Sequence, residues 1–155
     1  MSSSSKPCIF CQEKVQENYF LESENFLAIY NLAPILPGHS MVIPKKHHQS
    51  LMELSEAELC EMTIFARKTV KLLMKAFSVT AFNWTIQEGV EAGQTVPHLH
   101  LHLIPRAEKD LPQPGDWYPL LKASEEEDID SEARPRHSYE EIAQIVEKLR
   151  MFSQD

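Results

Sequence analysis

Three histidines fall at every second position in His98-Leu99-His100-Leu101-His102-Leu103-Ile104, a stretch introduced by Gly93-Gln94-Thr95-Val96-Pro97 and closed by Pro105-Arg106. Alternation with period two is the pattern of an extended strand, whose successive side chains point to opposite faces. His98, His100 and His102 then share one face and Leu99, Leu101 and Leu103 the other, which makes one face a core and the other a site. At a rise of about 3.3–3.4 Å per residue, neighbouring imidazoles are expected about 6.6–7 Å apart. Such a row suits successive parts of an elongated ligand such as a phosphate chain. Imidazole, with an unperturbed pKa near 6.5, attacks, accepts or donates protons near neutral pH. A metal centre is the competing chemistry, because two histidines at i and i+2 of a strand can share a zinc if further ligands are supplied. A merely solvated histidine tract does not fit leucines interleaved with period two in mid-chain.

The rest of the chain bounds what this strand belongs to. Its 155 residues, 43% of them hydrophobic, suit one compact domain over 1–155. No apolar run is long enough to span a bilayer, and Met1-Ser2-Ser3-Ser4-Ser5-Lys6 has no apolar signal-peptide core, so residues 1–6 are expected to be disordered and the protein cytoplasmic, with no membrane partner. A net charge of −8 argues against a nucleic-acid polymer as partner, which would want a basic stripe. Much of that acidity is local, in Glu125, Glu126, Glu127, Asp128, Asp130 and Glu132, and reads as a solvated loop. Three cysteines do not make a disulfide framework in a chain of this kind. Cys8 and Cys11 read as metal ligands or buried thiols, and Cys60 as an inert core thiol on the side of a helix.

Short strands are expected at Phe20–Glu22, Phe26–Tyr30 and Met41–Ile43. Ser55 and Glu58 have the spacing of a capping box, and an apolar stripe of Leu59, Met62, Phe65, Ala66, Val70, Leu73 and Phe77 predicts a long helix packed on the sheet. The segment from Thr80 to Ile86, with Phe82 and Trp84 alternating against Asn83 and Thr85, reads as a strand antiparallel to the histidine strand, which would bring Gln87 back to the histidines. Beyond Arg106, Pro112, Pro114 and Pro119 predict a long irregular segment. A second capping box at Ser138 and Glu141 opens a terminal helix with Ile142, Ile145, Val146, Leu149 and Phe152 on one face. The architecture expected is α+β: an antiparallel sheet of about five strands, a long helix on one face, a C-terminal helix, and the histidines turned to the other side.

All seven positions of the histidine stretch match His-φ-His-φ-His-φ-φ, with φ apolar, and the sequence resembles the histidine triad (HIT) family of nucleotide hydrolases and transferases. Asn31-Leu32-Ala33-Pro34-Ile35-Leu36-Pro37-Gly38-His39, followed by Met41-Val42-Ile43-Pro44-Lys45-Lys46-His47, is similar to the first half of that family's nucleotide site. The resemblance covers roughly Cys8 to Arg106, and 107–155 is a variable C-terminal segment without a motif. It implies that His100 attacks the α-phosphate and forms a nucleotidyl-histidine, that the carbonyl of His98 fixes the His100 tautomer, and that His102 and Thr95 serve the phosphate oxygens and the leaving group. It also implies that His39, Gln87 and Gln94 contact phosphates, that Asn31 holds the ribose, and that Ile29 and Phe10 line the base pocket.

The segment Gln87 to Val96 resembles the branch that cleaves diadenosine polyphosphates, with a glutamine at Gln87 where a shorter asparagine marks the phosphoramidases. Cys8 and Cys11 resemble a branch that binds a structural zinc with a histidine after the Pro-Lys-Lys segment and the first triad histidine, here His47, or its neighbour His48, and His98. The resemblance further implies a homodimer. The function expected is hydrolysis of dinucleoside polyphosphates to release AMP, with a divalent ion on the substrate phosphates left open. Phosphoramidate cleavage or adenylyl transfer, and a zinc-stabilised nucleotide-binding scaffold, are the alternatives.

Overall fold

In a computed structural model the chain is described over residues 8–126 and 137–154. The expected disordered N-terminus and residues 127–132 of the acidic stretch lie outside this range. A 3₁₀ turn at Ile9–Cys11 leads into a short helix α1 (Glu13–Gln16), then strands β1 (Tyr19–Glu22), β2 (Phe26–Tyr30) and β3 (Ser40–Pro44). The long helix α2 (Glu56–Phe77) is followed by β4 (Ala81–Thr85), β5 (Leu101–Arg106), α3 (Trp117–Glu126) and α4 (Tyr139–Phe152). The strands form one antiparallel sheet in the order β1-β2-β3-β5-β4.

Both capping boxes form. The Ser55 hydroxyl accepts from the Glu58 amide at 3.1 Å while the Glu58 carboxylate accepts from the Ser55 amide at 2.9 Å, and Ser138 with Glu141 repeats the arrangement. Such caps satisfy first-turn amides that have no partner inside the helix. The α2 stripe is buried at Met62, Phe65, Ala66, Val70 and Leu73, in one core with Leu99 and with Leu101 and Leu103 of the sheet. Truncating Phe65 or Leu73 to alanine is expected to cost about 2–5 kcal/mol. Helix α4 closes this same core with Ile142, Val146 and Leu149. The other sheet face carries a smaller cluster of Phe10, Leu27, Ile29, Met41 and Ile43.

Three expectations need correction. The segment after Arg106 is not irregular throughout: it contains α3. Its prolines are compatible with that helix because Pro114 starts a 3₁₀ turn and Pro119 is the third residue of α3, where a missing amide hydrogen breaks no helical bond. The histidine strand does not begin at His98 but at Leu101. His98 and Leu99 spend their amides on the Val96 and His48 carbonyls, at 2.8 and 2.6 Å, instead of on a ladder. Cys60 is exposed and not a core thiol, because it projects away from the buried stripe that begins with Met62.

Candidate active site

The sheet register carries the histidines to one place. His102 pairs with Met41 on one side and Thr85 on the other, so the residues that follow β4 return beside the triad. His98, His100 and His102 are 0%, 4% and 1% exposed. Their rings converge more than an ideal strand allows: the centroids of His100 and His102 are 4.9 Å apart and nearly perpendicular. Regular strand geometry begins only at Leu101, so His98 and His100 lie outside the ladder, and the His98 ring turns to Cys8 and Cys11 of the N-terminal turn.

Backbone groups fix the protonation pattern. The carbonyl of His98 lies 2.8 Å from His100 Nδ1. A carbonyl only accepts, so Nδ1 carries the proton and His100 Nε2 presents a lone pair. On the other side, the Ile35 amide donates to His39 Nδ1 at 3.2 Å. An amide only donates, so the proton of His39 is on Nε2, which lies 2.9 Å from His102 Nδ1 and donates to it. Neutral His102 then carries its proton on Nε2. The three rings thus form an ordered set: an imidazole with a lone pair on Nε2 at His100, a donor at His102, and His39 behind it, 0% exposed, holding the donor's tautomer.

Phe10 packs against His100 with centroids 5.1 Å apart and belongs to the wall of an apolar slot of about 50 Å³ that also includes Ile29, Met41, Tyr139 and Ile142. Asn31 directly follows β2; its Oδ1 accepts from the Ala33 amide at 2.9 Å, which sets the direction of the amide group. A second cleft of about 230 Å³ opens past Gln87 and Thr95 and is walled by Tyr118, Leu121 and Lys122 of α3. The Gln87 amide nitrogen donates to Thr85 Oγ1 at 2.8 Å. Gln94 is turned to the loop itself: its Oε1 accepts from the Gly89 amide, and its Nε2 donates to the Gln49 and Val96 carbonyls, at 2.9, 3.2 and 3.1 Å.

Cys8 Sγ, Cys11 Sγ, His47 Nδ1 and His98 Nδ1 form a cluster with all four atoms within 4.8 Å of one another. Four sulfur-to-nitrogen and nitrogen-to-nitrogen separations measure 3.2–3.4 Å. Zinc with bonds of about 2.3 Å to sulfur and about 2.0–2.1 Å to nitrogen has tetrahedral edges of roughly 3.3–3.8 Å, so the donor set and its spacing fit such an ion. His98 Nε2 donates to the Pro44 carbonyl at 3.1 Å, which leaves the Nδ1 lone pair facing the cluster. Burial, with His47 adding to it, depresses His98 to about 4 and keeps the ring neutral, and burial pushes the Cys11 thiol up to about 11. The choice between neighbouring histidines is resolved by geometry: His47 joins the cluster, whereas His48 turns to Glu53 and Glu58.

Sequence reasoning expected Phe10, Ile29, His98, His100, His102, Gln87 and Thr95 around one site; the fold sets Phe10 against His98 and His100, with Ile29 in the same slot as Phe10, and places Gln87 and Thr95 in a separate cleft. His39 sits behind His102, and Gln94 braces the loop. The residues it missed are Tyr139 in the slot and Tyr118 and Lys122 in the cleft. Tyr139 follows an N-cap that the sequence did mark, but Tyr118 and Lys122, one helical turn apart, were obscured by the prolines around them.

The fold and site define an α+β protein with a buried histidine row, an apolar slot walled in part by Phe10, and a second cleft beside Gln87. Residues 12–109 match the HIT domain, and the chain belongs to the HIT family. It is 39% identical over 120 residues to a bis(5'-nucleosyl)-tetraphosphatase (asymmetrical) of Schizosaccharomyces pombe, a match that spans 77% of this chain and 66% of that one. With a bis(5'-adenosyl)-triphosphatase of Dictyostelium discoideum it shares 33% identity over 87% of this chain and 85% of the relative. Among solved structures, a zinc-bound histidine triad family protein of Mycobacterium smegmatis superposes with a TM-score of 0.69 at 25% identity, covering 96% of this chain and 94% of the other.

Proposed function

We propose that this protein hydrolyses dinucleoside polyphosphates at an α-phosphate and releases AMP through a nucleotidyl-histidine on His100. The observation that carries the reading is the 2.8 Å bond from His100 Nδ1 to the His98 carbonyl, which leaves a lone pair on Nε2 of a ring that packs against Phe10, a wall of the apolar slot. The tetraphosphatase and triphosphatase activities for which the two relatives are named support the substrate class.

Phosphorus-to-nitrogen bonding by His100 accompanies cleavage of the bond from the α-phosphorus to the bridging oxygen, whose electron pair leaves with the departing phosphate. His102 Nε2–H and the Thr95 hydroxyl donate to the oxygens where charge accumulates, and Gln87 contributes its amide. His39 keeps His102 in the donor tautomer. Water then attacks the same phosphorus, loses its proton, and the phosphorus–nitrogen bond breaks to return the pair to His100. Asn31 is assigned to the ribose, and Phe10 and Ile29 to the base. Zinc at Cys8, Cys11, His47 and His98 would supply a structural clip and not a catalytic centre.

A single HIT domain over 1–155, with 107–155 as its family-variable part, is assigned on the same grounds. A homodimer is supported by the edge position of β4, where Phe82 and Trp84 are 41% and 38% exposed. No described helix is long and apolar enough to cross a membrane. A reducing, cytoplasmic setting agrees with thiols left free and gathered as metal donors.

The test is product analysis with diadenosine triphosphate, diadenosine tetraphosphate and an adenosine phosphoramidate, for wild type and His100→Ala. Rapid AMP release from a dinucleotide that needs His100 supports the reading. Cleavage of the phosphoramidate alone replaces it with the phosphoramidase branch, and cleavage of none replaces it with a nucleotide-binding scaffold.

A further inference from the structure

We propose that the cleft between the 87–95 loop and α3 receives the departing half of the substrate, and that Lys122 at its rim selects for the length of the phosphate chain. This rests on the dinucleoside polyphosphate reading and adds what part of the substrate is discriminated and by which residue.

The sheet order sets the direction of travel. The apolar slot lies over β2 and β3, the triad strand β5 comes next, and Gln87 follows β4 beyond it. A substrate whose base fills the slot and whose α-phosphate meets His100 must therefore continue toward the cleft of about 230 Å³.

The cleft has an unmet polar requirement at its inner end. Gln87 is 9% exposed, and its buried Oε1 has no hydrogen-bond partner among the described residues. The Thr85 hydroxyl that now accepts from the Gln87 nitrogen can equally donate to the amide oxygen. Reversing the amide keeps the Thr85 bond and offers the NH₂ group to the cleft, where an anion satisfies it; oxygen and nitrogen of such a group are distinguished only by their partners.

The outer end supplies charge. Lys122 is exposed where Gln87 is buried, so its ammonium meets phosphate farther along the chain than the amide does. Tyr118 forms the wall between them and approaches the loop closely at Gly93. That glycine has φ of +95°, and a Cβ there would stand 3.2 Å from the Tyr118 hydroxyl and 3.6 Å from Gln87 Cγ. The loop backbone is thus bare where α3 and Gln87 come together. A lysine at this rim supplies the sign of charge that suits a polyanion.

Cleavage at the α-phosphate sends off two phosphates from the triphosphate and three from the tetraphosphate, so the contact at the rim matters more for the second. The experiment measures kcat/KM for both dinucleotides and binding of AMP and ATP by calorimetry, in wild type, Lys122→Ala and Lys122→Arg. Expected for Lys122→Ala is a loss of about five- to tenfold in kcat/KM on the tetraphosphate. On the triphosphate the loss is expected below about threefold. ATP binding weakens, AMP binding is unchanged, and Lys122→Arg restores most of the loss. Equal losses on both dinucleotides, or AMP binding weakened as much as ATP binding, overturn the subsite. Should wild type cleave neither dinucleotide, the hydrolase reading fails separately. The subsite then stands if Lys122→Ala weakens ATP binding alone and falls if ATP and AMP change together or not at all.

Discussion

The backbone carbonyl of His98 accepts the Nδ1 proton of His100 while the His98 ring faces Cys8, Cys11 and His47. One residue therefore joins the candidate metal-binding cluster to the proposed nucleophile: its ring faces the first and its main chain fixes the tautomer of the second. The two roles do not compete, because the carbonyl is not a ligand.

Replacing His100 with asparagine retains a donor toward the His98 carbonyl but removes the attacking nitrogen. Steady-state hydrolysis of the preferred dinucleotide should fall by at least about 10³-fold, while AMP binding measured by calorimetry changes by less than about threefold. A variant that loses AMP binding in proportion to turnover would assign His100 to binding instead.

Metal content should reach one zinc per chain and vanish in Cys11→Ser. Phe10 lies between the two cysteines and packs on both His98 and His100, with centroids at 5.6 and 5.1 Å. Removing the metal with a chelator should therefore lower the melting temperature and weaken AMP binding, since the Cys8–Cys11 turn carries a wall of the base slot. Phe10→Ala in the loaded protein should weaken AMP binding without altering metal content. Unchanged AMP affinity after complete metal removal would separate the cluster from the slot.

Arg106 grips Asp110 through two bonds of 2.8 and 2.9 Å and reaches Asn83 Oδ1 and the Pro114 carbonyl with the same guanidinium, tying the approach to α3 onto β4. The guanidinium beside Asp110 holds that carboxyl down at about 2. A depressed carboxylate contributes stability above its unfolded value of about 3.9 and loses it as the pH falls toward the folded value, so this contribution fades between about pH 4 and 2. Chemical denaturation of Asp110→Asn at pH 7 should show a loss of about 1–2 kcal/mol, allowing for solvent screening of a partly exposed pair. That difference should shrink through pH 2 and disappear below it. A difference that persists in acid would mean the pair acts by packing and not by charge.

Trp84 pairs with Leu103, whose side chain belongs to the helix-side core, so Trp84 and Phe82 lie on the α2 side of an edge strand. Sedimentation should show a dimer for wild type and a shift toward monomer for Trp84→Glu, with the melting temperature measured alongside to separate dissociation from unfolding. A wild-type monomer at tens of micromolar would remove the dimer from the account.

The parts of this molecule written in local patterns were legible in its sequence. Period-two leucines put Leu99, Leu101 and Leu103 into the core, the stripe from Met62 to Leu73 formed one helix face, and Ser55 and Ser138 capped their helices as their spacing required. Geometry that depends on distant chain was not legible. The choice of His47 over His48 follows from where the Cys8–Cys11 turn folds back, and the bend at His98 from bonds to Val96 and His48. Helix α3 was hidden because proline discourages a helix only beyond its first turn, and Pro119 falls within it. With α3 unseen, Tyr118 and Lys122 had no site to belong to.

The most direct test of the central claim is acid-quenched mass spectrometry of the protein mixed with the preferred dinucleotide and digested to peptides. The account predicts an adenylyl group on His100 within the first turnover, and none in His100→Ala, which should also release no AMP. AMP release at the wild-type rate from His100→Ala, or rapid turnover with an adduct on another residue, would contradict it.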